Sequence, residues 1–276
     1  MATKHDEGDI EQFIEQVMRS KKYRAMTICR DTIRDLITRE LAHRKNKRQA
    51  IKAARTKLHE VMAPYLGDPD FDEAKEELVQ AFGTCDQNEI RRACAHIMSA
   101  HASTRERLPI LGDFYRRIFA VTGYPKSIID VACGLHPLSF PWMDVPLSTR
   151  YFAYDLNQSR VDFLTYYFSL QGLCDSARTQ DILIKFPTEE ADVALILKET
   201  PRFERRHYGS SAYLFDALRV RYLVISLPTK NLGGRRNLAA GYRQLLYKIL
   251  GQRPWPLTEI EFNSELVFIV DKQSGQ

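Results

Sequence analysis

No run of 18 apolar residues occurs anywhere in the chain, so it offers no membrane-spanning helix. Cysteine is scarce: five residues in 276 (Cys29, Cys85, Cys94, Cys133, Cys174), with no CxxC pair among them. An odd number without paired spacing argues against a disulfide framework and against a structural metal site, and it suits a reducing cytoplasm. The opening MATKHDEGDIEQ is acidic and polar, unlike a secretory signal. The GxGxxG fingerprint of dinucleotide binding is missing, as are internal repeats and low-complexity tracts.

What is present is globular. Hydrophobic residues make up 44% and charged residues 27%, enough to build a core and too apolar for wholesale disorder. The length fits one large domain or two modest ones. The net charge of +5 is modest, but it is unevenly spread. Arg19 to Lys57 holds 14 Lys/Arg against three acids, and Arg202 to Arg253 holds 11 against two. Acid gathers instead in residues 6–15 and 68–77. Two basic segments point to a polyanionic partner, nucleic acid first and an acidic protein surface second.

The periodicity changes midway. From 10 to 120, apolar residues recur at helical spacing: Phe13, Ile14, Val17, Met18; Ile33, Leu36, Ile37, Leu41; Ile51, Ala54, Leu58, Val61, Met62; Leu78, Phe82, Ile90, Ala93, Ile97. Gly67-Asp68-Pro69 and Gly83-Thr84 interrupt them. After Tyr124-Pro125 come SIIDVA (127–132), YFAYDL (151–156), VALIL (193–197) and YLVISL (222–227), separated by amphipathic pieces such as 158–170 and 208–219. Apolar runs alternating with helices indicate a parallel sheet covered on both faces. EIEFNSELVFIV (259–270) reads as a final strand or hairpin.

In such a sheet, ligands bind beyond the carboxyl ends of the strands. The first strand leads into Asp130-Val131-Ala132-Cys133-Gly134-Leu135-His136-Pro137, a glycine turn in which Pro137 disfavours a helix beginning at Gly134. The second ends at Asp155, placed to accept ribose hydroxyls. A glycine turn plus a ribose acid without a pyrophosphate cradle fits S-adenosylmethionine; a plain turn and a helix cap are the bland alternative. Asp181, in Thr179-Gln180-Asp181-Ile182, is either an adenine contact or a loop cap. Lys198 closes the VALIL run at the same rim, or merely extends its ammonium to water. His101 and Cys133 read more readily as packing residues than as ligand or nucleophile, and Trp142 equally as core plug or stacking platform.

Several stretches then follow one another in an informative order: HASTRERL (101–108), DVACGLHPLSFPWM (130–143), LILKETPRFE (195–204) and ISLPTKNLGGR (225–235). With SKKYR (20–24), ARTKLHE (54–60) and SELVFIV (264–270), they resemble the aminoglycoside-resistance 16S ribosomal RNA methyltransferases that modify N7 of guanine 1405. The resemblance runs nearly end to end. It implies a Rossmann-like S-adenosylmethionine-dependent methyltransferase fold (residues 108–276) preceded by an all-helical domain (1–107) that docks on the 30S subunit and its 16S rRNA. The expected protein is a cytoplasmic monomer with no membrane association.

Residue by residue, the resemblance implies that Arg107 holds the methionine carboxylate, beside Ser103 and Thr104 of the same motif. Ala132 and Gly134 match the first cofactor loop, Asp155 and Leu156 the ribose position, and Asp181 and Ile182 the adenine edge. Lys198, Pro228 and Lys230 fall beside the reacting base, in motifs that also contain Pro201 and Ser226. Lys21, Lys22, Arg55, Lys57, Arg235 and Arg236 are the expected RNA contacts. The chain departs from the family pattern at His136, at Glu199-Thr200 and at residues 236–242. The last departure bears on target placement more than on cofactor binding. Two alternatives stay open: another RNA target, or a non-catalytic RNA-binding relative.

Overall fold

The computed structural model describes residues 7–20, 28–63, 67–173, 177–229 and 238–273. Seven helices come first: α1 Glu7–Met18, α2 Arg30–His43, α3 Lys47–Met62, α4 Phe71–Gly83, α5 Gln87–Met98, the single turn α6 Ala102–Arg105, and α7 Leu111–Thr122. Their starts obey local chemistry. Asn46, Asp70 and Asp86 each accept backbone N–H groups of the first turn, capping α3, α4 and α5. Gly83 is the last residue of α4, so that break in the sequence falls at a true helix end.

Strands and helices then alternate: β1 Ser127–Val131, β2 Arg150–Asp155, α8 Gln158–Gln171, β3 Ala177–Thr179, β4 Glu190–Leu197, α9 Thr200–Arg206, α10 Ser210–Ala217, β5 Arg219–Pro228, α11 Ala239–Leu250, β6 Leu257–Glu261 and β7 Glu265–Asp271. They form a seven-stranded sheet in the order β3-β2-β1-β4-β5-β7-β6. The first five strands are parallel; β7 pairs antiparallel with β5, and the β6–β7 hairpin closes the edge. The expected parallel sheet and terminal hairpin are therefore present. Strand β3 went unread because three residues leave no pattern.

Side chains alternate across the sheet. Ile128, Val193 and Leu195 join one apolar layer with α4, α5, α7 and α8, while Ile129, Ala194 and Ile196 join another with α9, α10 and α11. Helices α1–α3 keep a third core of their own around Ile14, Ile33, Ile37, Ala54 and Leu58. The helical half thus divides between two interiors, with α4 packed on α8 and α5 on the 3-10 turn His136–Trp142 in the core that covers one face of the sheet.

The acidic α1 lies over the basic α2. Arg30 pairs with Glu11 and Glu15 at 2.9 Å, Arg34 with Glu7 and Glu11, and Lys47 with Asp9 at 2.6 Å. The Arg19–Lys57 segment therefore borrows its compensating charge from residues 7–15, which composition within the segment could not reveal.

Candidate active site at the carboxyl edge of the sheet

Strand order reverses between β1 and β4, the usual place for a ligand in an open α/β sheet. Two residues there hold backbone angles uncommon outside glycine: Ala132 after β1 (φ 51°) and Lys198 after β4 (φ 65°). Strain of this sort gathers where a loop must keep a functional shape. Gly134 (φ 57°) completes the first loop, its N–H donating to Asp155 Oδ2 at 3.0 Å. A 3-10 turn begins at His136 with Pro137 in its first turn, where the missing N–H is harmless.

Below the loop runs a buried polar network. His136 Nδ1 lies 2.8 Å from Asp130 Oδ2, and its Nε2 lies 2.6 Å from the Tyr115 hydroxyl. Tyr151 donates to the same Asp130 oxygen at 2.8 Å, and Tyr115 also meets Ser139. Burial first of all pushes the Tyr115 and Tyr151 hydroxyls above their ordinary pKa, so both remain protonated partners. The histidine at this departure from the family pattern is thus an anchor for the loop.

Asp155 is 1% exposed. It accepts Asn157 N–H on Oδ1 (2.9 Å), and Gly134 N–H and Arg160 Nη1 (3.1 Å) on Oδ2. Three of about four acceptor positions are filled, so one hydroxyl fits directly and a second must displace a donor. Arg160 also pairs with Asp68, which meets His101 Nε2 at 2.7 Å. Burial raises the Asp68 pKa, but His101 and Arg160 outweigh it and leave the carboxyl below its usual range. His101 thus serves the site through Asp68 and Arg160. Neither of those two residues stood out in the sequence.

The second cluster forms around Glu265, the first residue of β7, which stands opposite Pro228. Arg107 and Glu265 are both essentially inaccessible (1% and 0%) and meet side-on, Nε at 3.0 Å and Nη2 at 2.5 Å. Lys198 Nζ lies 2.7 Å from Glu106 and 3.8 Å from Glu265. Burial works against the Glu265 charge, yet Arg107 and Lys198 hold its pKa below normal. Arg107 keeps three N–H groups uncommitted to any described residue, enough for an incoming carboxylate. The Thr104 hydroxyl is used on the Met98 and His101 carbonyls, while Ser103 is half-buried.

Other expected residues spread along the same edge. Leu156 accepts Cys29 N–H at 3.1 Å, and Ile182 is buried beside Asp181. Asp181 Oδ1 accepts Leu183 N–H at 3.1 Å, so the loop-cap reading is part of its role. Glu199 bonds Arg202 at 2.5 Å; burial raises its pKa, Asp155 adds to the rise and Arg202 opposes it. Buried hydroxyl oxygens of Thr179, the last residue of β3, and Thr200, the first of α9 after β4, have no hydrogen-bond partner among the described residues. Spare donors on Arg107 and orphaned hydroxyls at the rim suit a polar cofactor. Cys133 is a buried thiol whose pKa burial, above all, pushes up, in keeping with the reading of it as a packing residue. Trp142 packs half-buried on the core.

The expected RNA contacts Lys21, Lys22, Arg235 and Arg236, and Lys230 of the site, lie outside the described residues. Lys57 is paired with Glu40 at 2.6 Å. Arg55 lies over the Phe13 ring at 5.9 Å and shares one exposed face of α3 with Arg48 and Lys52. Among the described residues these three have no carboxylate partner.

A mostly parallel sheet with a glycine loop after β1, an acid closing β2 and a buried arginine near its carboxyl edge is the arrangement of the Rossmann-like methyltransferase class. Comparison with known proteins narrows it. A family model described as ribosomal RNA methyltransferase (FmrO) matches residues 19–269. A protein of Frankia casuarinae named 16S rRNA (guanine(1405)-N(7))-methyltransferase is 34% identical over 269 residues, 96% of this chain and 94% of its own. Another of that name, from Micromonospora echinospora, is 31% identical over 99% of this chain and all of its own. The crystal structure of 16S rRNA methyltransferase RmtF with S-adenosyl-L-homocysteine superposes with a TM-score of 0.77 at 29% identity, covering 97% of this chain and 99% of that one. An Escherichia coli rRNA methylase gives 0.75 at 28%, covering 96% and 100%. The chain belongs to the FmrO family of ribosomal RNA methyltransferases.

Proposed function

We propose that this protein methylates N7 of guanine 1405 in 16S rRNA, using S-adenosylmethionine and acting on the assembled 30S subunit, and so confers resistance to aminoglycosides. The observation that carries this reading is the near end-to-end match to relatives named for that one reaction. Arg107 would hold the amino-acid carboxylate, Ala132 and Gly134 the main-chain side of the pocket, Asp155 and Leu156 the ribose, and Asp181 and Ile182 the adenine. The cofactor supplies the methyl group.

Guanine N7 carries a lone pair and no proton, so the chain need provide neither base nor acid. Its work is to dock, expose the base and hold it. Side chains cannot reach N7 through the deep, narrow major groove of duplex RNA, so the guanine must leave the stack. Alignment of this kind is worth about 7–11 kcal/mol. Lys198, pinned by Glu106 beside Glu265, and Pro228 form the wall nearest the incoming base, and Lys230, outside the described residues, is the third residue assigned to that base. The helical part before Leu108 docks on the subunit through the face of α3 with Arg48, Lys52 and Arg55; Lys21 and Lys22, outside the described residues, are further expected contacts. The protein works as a cytoplasmic monomer; no described helix is long and apolar enough to cross a membrane.

Incubation with tritiated cofactor tests this. Intact small subunits from an unmodified strain should take up label, and deproteinised 16S rRNA should not. Equal labelling of both would remove the requirement for an assembled subunit.

A further inference from the structure

The adenine end of the cofactor site is not built by the sheet alone. Asp181 is 2% exposed, and donors from three parts of the chain converge on its carboxylate. Besides the Leu183 N–H on Oδ1, Oδ2 accepts the Thr32 hydroxyl at 2.6 Å and Arg206 Nη2 at 2.6 Å. Thr32 is fully buried in the first turn of α2, 149 residues away in sequence. Arg206 closes α9 and reaches Asp35 of the same α2 at 3.3 Å. Burial opposes the Arg206 charge, and Asp181 and Asp35 more than restore it. Two further ties fix this end of α2: Cys29 N–H donates to the Leu156 carbonyl, and Ile28 bridges Asn157.

The acceptor count is informative. A carboxylate offers about four positions, and three are filled here, which leaves one on Oδ1. One acceptor suits one N–H of an exocyclic amino group. Its direction is set by the two donors on Oδ2, which prevent the carboxylate from rotating. Both donors are held by α2, one directly and one through Asp35.

We propose that Thr32, Asp35 and Arg206 are positioning residues for the adenine subsite, so that α2 of the docking part forms the outer support of the cofactor site. This rests on the reading of Asp181 as the adenine contact. None of the three touches the cofactor; each acts through Asp181.

The test compares full-length proteins by calorimetry with S-adenosylhomocysteine and S-inosylhomocysteine, in which a carbonyl replaces the 6-amino group. Thr32→Val combined with Asp35→Asn should bind the adenosyl compound roughly fivefold more weakly, the scale of one net hydrogen bond, and the inosyl compound as the wild type does. Thr32→Ser, which keeps the hydroxyl, should keep the wild-type preference. If the double variant does not fold, Asp35→Asn alone, at a side chain 20% exposed, should lower the preference in the same direction. Asp181→Ala separates the two layers of the argument. Preference lost in Asp181→Ala but intact in the α2 variants overturns the positioning role alone. Preference intact in Asp181→Ala overturns the adenine reading and the positioning role with it.

Discussion

Arg107 and Glu265 show how a single buried pair joins stability to function. Taking both charges out of water is costly, and the pair holds only because geometry and neighbours satisfy it. Removing one partner leaves an uncompensated charge, so Glu265→Ala should cost about 3–5 kcal/mol in denaturant unfolding. A paired Arg107→Met, Glu265→Leu variant should recover much of that stability and still fail to bind cofactor. The pH dependence follows from the sign of the shift. Glu265 titrates lower folded than unfolded, so its contribution is complete above the ordinary value of 4.5 and is lost as pH falls through the folded value. Asp68 behaves alike, starting from 3.8. Wild-type unfolding free energy should thus fall steeply on acidification below about pH 4.5, with Glu265→Gln removing part of the slope. Arg107 stood out as a candidate through its HASTRERL motif, and Asp155 through its place at the end of the second strand. Glu265 sits within SELVFIV, and nothing local in the sequence announces that it meets a residue 158 positions earlier. For Asp155, replacement by Asn should weaken cofactor binding by about 1.5–3 kcal/mol in calorimetry, the worth of a charge-assisted contact; unchanged affinity would place the ribose elsewhere.

Among the elements, the helices of the first half illustrate what periodicity can and cannot supply. Their apolar faces were readable residue by residue. Their partners were not, because an amphipathic stripe on α4 or α5 does not say whether it will meet a helix or a sheet. The charge runs behave similarly. Arg30 and Arg34 belong to a basic run, but α1 neutralises them, whereas the face of α3 with Arg48, Lys52 and Arg55 has no carboxylate partner among the described residues. Replacing those three with alanine should reduce subunit affinity and lower the slope of log K against log salt, since fewer counterions are released. Replacing Arg30 and Arg34 should instead lower the melting temperature and leave the salt slope alone. The reverse pattern would move the docking surface to α2.

For the whole molecule, the sheet was largely legible because fully buried strands read as short apolar runs and both faces alternate strictly. The strand order was not, since it depends on crossovers that leave no mark in composition. That order lines up Asp181, Asp155, Gly134, Lys198 and Pro228 along one carboxyl edge, and it lays α2 against the outer end of the row. Helix α2 and the carboxyl edge of the sheet thereby become one connected body. The most direct measurement of the whole account is the position of the methyl group. Small subunits treated with protein and cofactor are cleaved chemically at N7-methylguanine and mapped by primer extension. The account predicts a single new stop at guanine 1405, absent without cofactor. A stop at another nucleotide, or none while the cofactor binds, would contradict it.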